Sequence, residues 1–90
     1  MSVANDTEKR KPSDELLTTL AKNLKALRES HGLSQERLGG KCGCHPTFIS
    51  MVERKQRNVT ISTLEIFAVA LGVETFQLLD NNFKAKQTGK

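Results

Sequence analysis

From residue 17 onward, apolar positions recur along the chain at helical spacing. Leu17, Leu20, Ala21, Leu24 and Leu27 follow the i, i+3, i+4, i+7 rhythm that puts them on one stripe. Ser13 is placed to cap that helix, Asp14 and Glu15 suit the positive end of its dipole, and Gly32 ends it. A second, short helix starts after Ser34, carries Gln35 and Glu36 in its first turn, and runs to about Cys42, where Gly43 breaks it. Pro46 suits the first turn of a third helix, because its fixed φ is already helical and its missing N–H has no bond to lose. Phe48, Ile49 and Val52 lie on that helix, and the polar run Lys55-Gln56-Arg57-Asn58 closes it. Thr60 caps a fourth helix with Ile61, Leu64, Phe67, Ala68 and Leu71 inward, ended by Gly72. A last short helix is predicted from Thr75 to Asn81. No stretch alternates with period two, and no repeat is visible. The pattern predicts an all-α domain of five helices.

Two short helices separated by a three-residue turn make a helix-turn-helix. Gly39 lies four residues before Gly43, where two steeply crossing helices leave space for only a small side chain. Gly43 supplies the positive φ that reverses the chain at once. Leu38, Cys42, Cys44, Ile49 and Val52 then face inward. This frame decides the reading of "KCGCHP" (Lys41 to Pro46), which otherwise looks like a metal clip or redox pair. A metal would need both sulfurs and the His45 imidazole to converge with a fourth ligand, and the only other histidine is His31. We expect Cys42 and Cys44 to pack as small hydrophobes, with no metal and no cofactor. A thiol- or metal-responsive regulator is the alternative that this motif keeps open.

Ninety residues suffice for one domain with a modest core, and with four Phe and no Trp or Tyr that core must be aliphatic. We divide the chain into a flexible arm at 1–12, a helix-turn-helix domain at 13–83 and a polar tail at 84–90. Lacking a secretory leader and a long apolar run, the chain is expected in the reducing cytoplasm, away from membranes. No nucleophile–base pair or phosphate-cradling glycine loop is present, so no enzymatic activity is expected. The net charge of +4 is unevenly spread. Arg37, Lys41, Arg54, Lys55 and Arg57 cluster in the middle, whereas Asn58 to Phe83 contain no Lys or Arg. One basic face and one acidic-to-neutral end point to a polyanion engaged from one side.

Residues 17–79 resemble the phage-repressor and Cro-like (XRE) helix-turn-helix family, over about two-thirds of the chain. The resemblance rests on "LRESHGLSQERL" (Leu27 to Leu38), "FISMVERKQRN" (Phe48 to Asn58) and "LEIFAVALGV" (Leu64 to Val73). It implies a lambda-repressor-like fold and a homodimer on near-palindromic operator DNA. The run "ERKQRNVTIS" (Glu53 to Ser62) looks most like the controller proteins of restriction-modification systems. That likeness implies control by occupancy of two adjacent sites, and activation would add a contact with RNA polymerase. This chain departs from the family at Gly39 and Gly40, where Ala and a polar residue are more usual, and at Lys55, usually Gly. Lys55 is therefore expected in a less comfortable backbone conformation.

The third helix is the expected major-groove reader. His45, Pro46, Thr47, Ser50, Met51 and Arg54 form its outward side. Thr47 and Ser50 can hydrogen-bond base edges or phosphates, Pro46 and Met51 can touch thymine methyls, and Arg54 can reach guanine or phosphate. Few bidentate readers are present, so DNA shape is expected to share in specificity. Gln35, Arg37, Lys55, Arg57 and Asn58 are the candidate phosphate contacts, Gln35 at the free N–H groups opening the second helix. The resemblance assigns Arg28 and Glu53 a structural ion pair. Ile66, Val69, Phe76, Leu79 and Phe83 are apolar beyond what one core needs, with Leu78 assigned to the core, and mark the candidate dimer face. A protein-interaction module of the same fold, such as an antitoxin or adaptor, is the competing reading.

Overall fold

The apolar stripe of the first segment forms α1, Asp14–Ser30, in the computed structural model, which describes residues 14–85. Then come α2 (Gln35–Cys42), α3 (Pro46–Glu53), α4 (Ile61–Leu71) and a 3-10 helix, Thr75–Leu79. No strand occurs among the described residues. Ser13, the basic run Lys9-Arg10-Lys11 with the rest of the arm, and residues 86–90 of the tail lie outside them.

Local chemistry sets most of the boundaries. The Ser34 hydroxyl accepts the Arg37 N–H at 3.0 Å, and the Thr60 hydroxyl accepts the Thr63 N–H at 3.1 Å. Caps of this kind are worth about 1 kcal/mol each. Gly43 follows α2 at φ 69°, a left-handed conformation that a side chain would strain. Gly39 is small for a different reason. A Cβ built there would sit 2.6 Å from the Cys44 carbonyl oxygen and 3.3 Å from the Pro46 nitrogen. The turn therefore packs directly on the α2 backbone, and α3 leaves it at a fixed angle.

Leu24, Leu38, Ile49, Val52, Phe67, Leu71 and Leu78 are all but completely buried in one cluster drawn from every helix. Burial of such a side chain contributes about 1.5–3 kcal/mol. This core holds α2 and α3 on α1 and α4, with the outer side of α3 turned to solvent.

Two expectations are corrected. Ile61 is not on the inner face of α4; it is 77% exposed. The inward stripe begins one turn later, at Leu64, and Val59 packs on the core ahead of the cap. Val59 and Leu64 occupy the two positions of a hydrophobic staple, which leaves Ile61 outside. The predicted fifth α-helix is a 3-10 helix ending at Leu79. Its end is tied to α1: the buried Asn23 amide donates to the oxygens of Gln77 (3.2 Å) and Leu78 (3.1 Å), and to that of Asp80 just beyond the helix (3.0 Å). Asn23→Ala should leave the Leu78 carbonyl unmet, while Gln77 O and Asp80 O keep the Asp80 and Phe83 N–H groups, and cost about 1–3 kcal/mol, read as a lower urea midpoint.

Candidate nucleic-acid interface

The groups around α3 are held by a buried charge network. Arg28 donates from Nε to Glu53 Oε2 at 2.7 Å and from Nη2 to Oε1 at 3.1 Å. Its third nitrogen donates to the Leu33 carbonyl at 2.8 Å, and Gln35 Nε2 donates to Glu53 Oε1 at 3.1 Å. The side chains are 10% and 4% exposed for Arg28 and Glu53. Four segments are thus tied together: α1, the loop before α2, the first residue of α2 and the last of α3. The hydrogen bond to Glu53 raises the Arg28 pKa above its ordinary value, outweighing the opposite effect of burial.

Against this scaffold, Gln35, Pro46, Thr47, Ser50 and Arg54 line one open cleft between the start of α2 and the outer side of α3. His45 caps α3, its Nδ1 accepting the Thr47 N–H at 3.0 Å. Arg54 folds back along the helix, donating from Nε to the Ser50 carbonyl at 3.3 Å. Met51 is half-buried rather than fully outward. Arg37 and Asn58 are exposed beside the cleft's helices.

Two side-chain contacts join residues that periodicity does not pair, while the Lys55 backbone is in the strained conformation expected of it. The Arg57 guanidinium lies 5.2 Å above the Phe48 ring, which in turn packs against Phe67 at 6.3 Å between centroids. This cation–π contact holds one of the loop cations in place. Lys55 has φ 64°, the left-handed position of a Schellman cap, with its N–H on Val52 O at 3.0 Å and the Gln56 N–H on Met51 O at 2.8 Å. A left-handed backbone costs a residue with a side chain about 1–2 kcal/mol. The Lys55 ammonium, expected on a phosphate, turns to α1, donating to Thr18 Oγ1 at 3.0 Å and pairing with Asp14 at 3.3 Å.

Cys42 and Cys44 are free thiols, half-buried against the core. Burial is the main cause that pushes the Cys42 thiol up to about 11, with the neighbouring Cys44 adding to it, and burial also raises Cys44. No group of three metal-ligating side chains lies together among the described residues. We expect iodoacetamide to label both thiols slowly at pH 8 in the folded protein and quickly in urea. The folded state favours the neutral Cys42 thiol, so its contribution to stability is complete below its ordinary pKa of 9.0 and is lost as pH rises toward about 11. Urea midpoints at pH 8 and 11 check the sign.

On another face, Val69 and Phe76 are 82% and 66% exposed, and Ile66 is also exposed. Ile66, Val69 and Val73 line a shallow groove edged by Lys41, Glu65 and Glu74. Leu78 is fully buried. Leu79 and Phe83, expected on the dimer face with the others, are half-buried against the chain's own core. The 3-10 geometry turns Leu79 back toward that core and leaves Phe76 outside. Among the described residues, no helix is long and apolar enough to cross a membrane.

A family model described as helix-turn-helix matches residues 24–78. The chain is 45% identical over 65 residues to a hypothetical transcription factor of Neisseria meningitidis serogroup B, a match covering 72% of this chain and 61% of that protein. It is 50% identical over 60 residues to control protein C.SmaI of Serratia marcescens, covering 67% of this chain and 71% of that protein. Its fold is similar to the restriction-modification controller protein C.Esp1396I, solved as a tetramer in complex with its natural 35 base-pair operator. That likeness has TM-score 0.66 at 35% identity and covers 76% of this chain and 92% of the other. The chain belongs to the helix-turn-helix family of XRE type, with restriction-modification controller proteins among its homologues.

Proposed function

We propose that the chain is a sequence-specific transcription regulator of the controller type, acting in the cytoplasm as a homodimer on a near-palindromic operator. The observation that carries this reading is the cleft along α3. Gln35, Thr47, Ser50 and Arg54 line it, and the cations Arg37 and Arg57 stand in the segments beside it. Hydrogen-bonding groups at the centre suit base edges, and cations at the margin suit the phosphates on either side of a major groove. One such surface reads few bases, and a second copy joined through the Ile66, Val69 and Phe76 face doubles the number. The C.Esp1396I tetramer on its operator supports two dimers on adjacent sites as the working assembly. In that assembly, activation at the first site would place the dimer against RNA polymerase.

The test is the salt dependence of binding to duplex DNA. Neutralising about six phosphates should weaken binding by about 10³ between about 50 and about 200 mM salt. An affinity for duplex DNA that salt does not change would instead favour a protein partner.

A further inference from the structure

Among the described residues, Lys55 is the one non-glycine with positive φ. Strain that persists at a surface turn calls for a compensating role of the side chain. That side chain carries its ammonium to Asp14 at 3.3 Å and to Thr18 at 3.0 Å. The pair is open to water, with Lys55 37% and Asp14 81% exposed. A solvated pair of this kind holds weakly and exchanges readily. Lys55 directly follows Arg54 of the cleft and lies two residues before Arg57, so it belongs to the same basic segment that follows α3.

We infer that Asp14 is an internal competitor for the Lys55 ammonium and thereby sets how much protein is needed to occupy DNA. In the free protein the carboxylate holds the ammonium against α1. In the complex a phosphate takes the ammonium, and Asp14, 81% exposed, gives up its partner to solvent. Asp14 therefore weakens binding to any sequence and leaves base readout untouched. The inference rests on the DNA-binding reading above and adds a residue of α1, outside the helix-turn-helix, to the interface.

The test compares the native protein with Asp14→Asn, Lys55→Gln and the double variant, titrated at several salt concentrations. The probe is a mixed-sequence duplex as long as the C.Esp1396I operator, and thermal melts confirm that each variant is folded. Asp14→Asn should tighten binding up to about fivefold at low salt. Lys55→Gln should weaken binding and reduce the slope of log affinity against log salt by about 0.9, one phosphate contact. In the Lys55→Gln background, Asp14→Asn should have little further effect. Equal tightening by Asp14→Asn in both backgrounds would overturn the inference, since Asp14 would then be only a nearby negative charge. An unchanged slope in Lys55→Gln would overturn it too, because the ammonium would then stay on α1. If the native protein shows no salt-dependent affinity for the duplex, the DNA-binding reading fails first, and the inference falls with it.

Discussion

Glu53→Ala should cost about 3–5 kcal/mol of folding stability, because it leaves the buried Arg28 guanidinium with only the exposed Glu29 carboxylate, 4.0 Å away, as a charge partner. Both Glu53 oxygens are engaged, by Arg28 at 2.7 and 3.1 Å and by Gln35 at 3.1 Å, and the side chain is 4% exposed. Water cannot replace the lost carboxylate without opening the junction of α1, α2 and α3. Against a typical total of about 5–15 kcal/mol, a loss of this size leaves a domain of this length marginal. Urea denaturation reads it as a large fall in midpoint, and DNA binding should fail with it at warm temperatures. Replacing both partners by apolar residues, Arg28→Met with Glu53→Leu, should be milder than either single loss, since no charge is then stranded. A Glu53→Ala protein of native stability would show that the network contributes nothing.

Val69→Glu should separate folding from association. Val69 is 82% exposed on α4, so in an isolated copy the substitution should shift stability by no more than about 0.5 kcal/mol. A two-fold interface uses the same patch twice, so the change would bury two carboxylates facing the Glu65 and Glu74 edges of the groove. Sedimentation at tens of micromolar should show a dimer for the native chain and a monomer for the variant. Losing the linkage between two half-sites should then weaken operator binding by about 100-fold or more. A variant that still sediments as a dimer would move the interface off α4.

Much of this architecture is readable in the chain because its signals are local. Ser34, Gly43, Pro46, Thr60 and Gly72 act within a few residues of themselves, and the structure places each at the helix end its chemistry predicts. The outward polar side of α3 follows from the same periodicity. Ile61 misleads because a helical stripe can be extended one turn toward the N-terminus without any conflict in the sequence. Only the packing of Val59 decides the matter. The last helix misleads for another reason: its hydrogen bonding is set by Asn23, 54 to 57 positions away. A lone Asn on an apolar stripe, three residues after Leu20, is the signal that could have flagged it. The Lys55–Asp14 clasp joins residues 41 apart, and nothing in either neighbourhood announces it. Arg28 and Glu53 were legible only through the resemblance to a family, since no periodicity pairs residues 25 positions apart.

Whether the protein is a dimeric reader of a two-fold operator can be decided by selecting bound duplexes from a random-sequence DNA pool and sequencing them. The pool should yield an enriched inverted repeat whose half-site centres lie about one helical turn, about 34–36 Å, apart. Recovery of unselected DNA, or of none, would contradict it and point to a protein partner for the same helix-turn-helix.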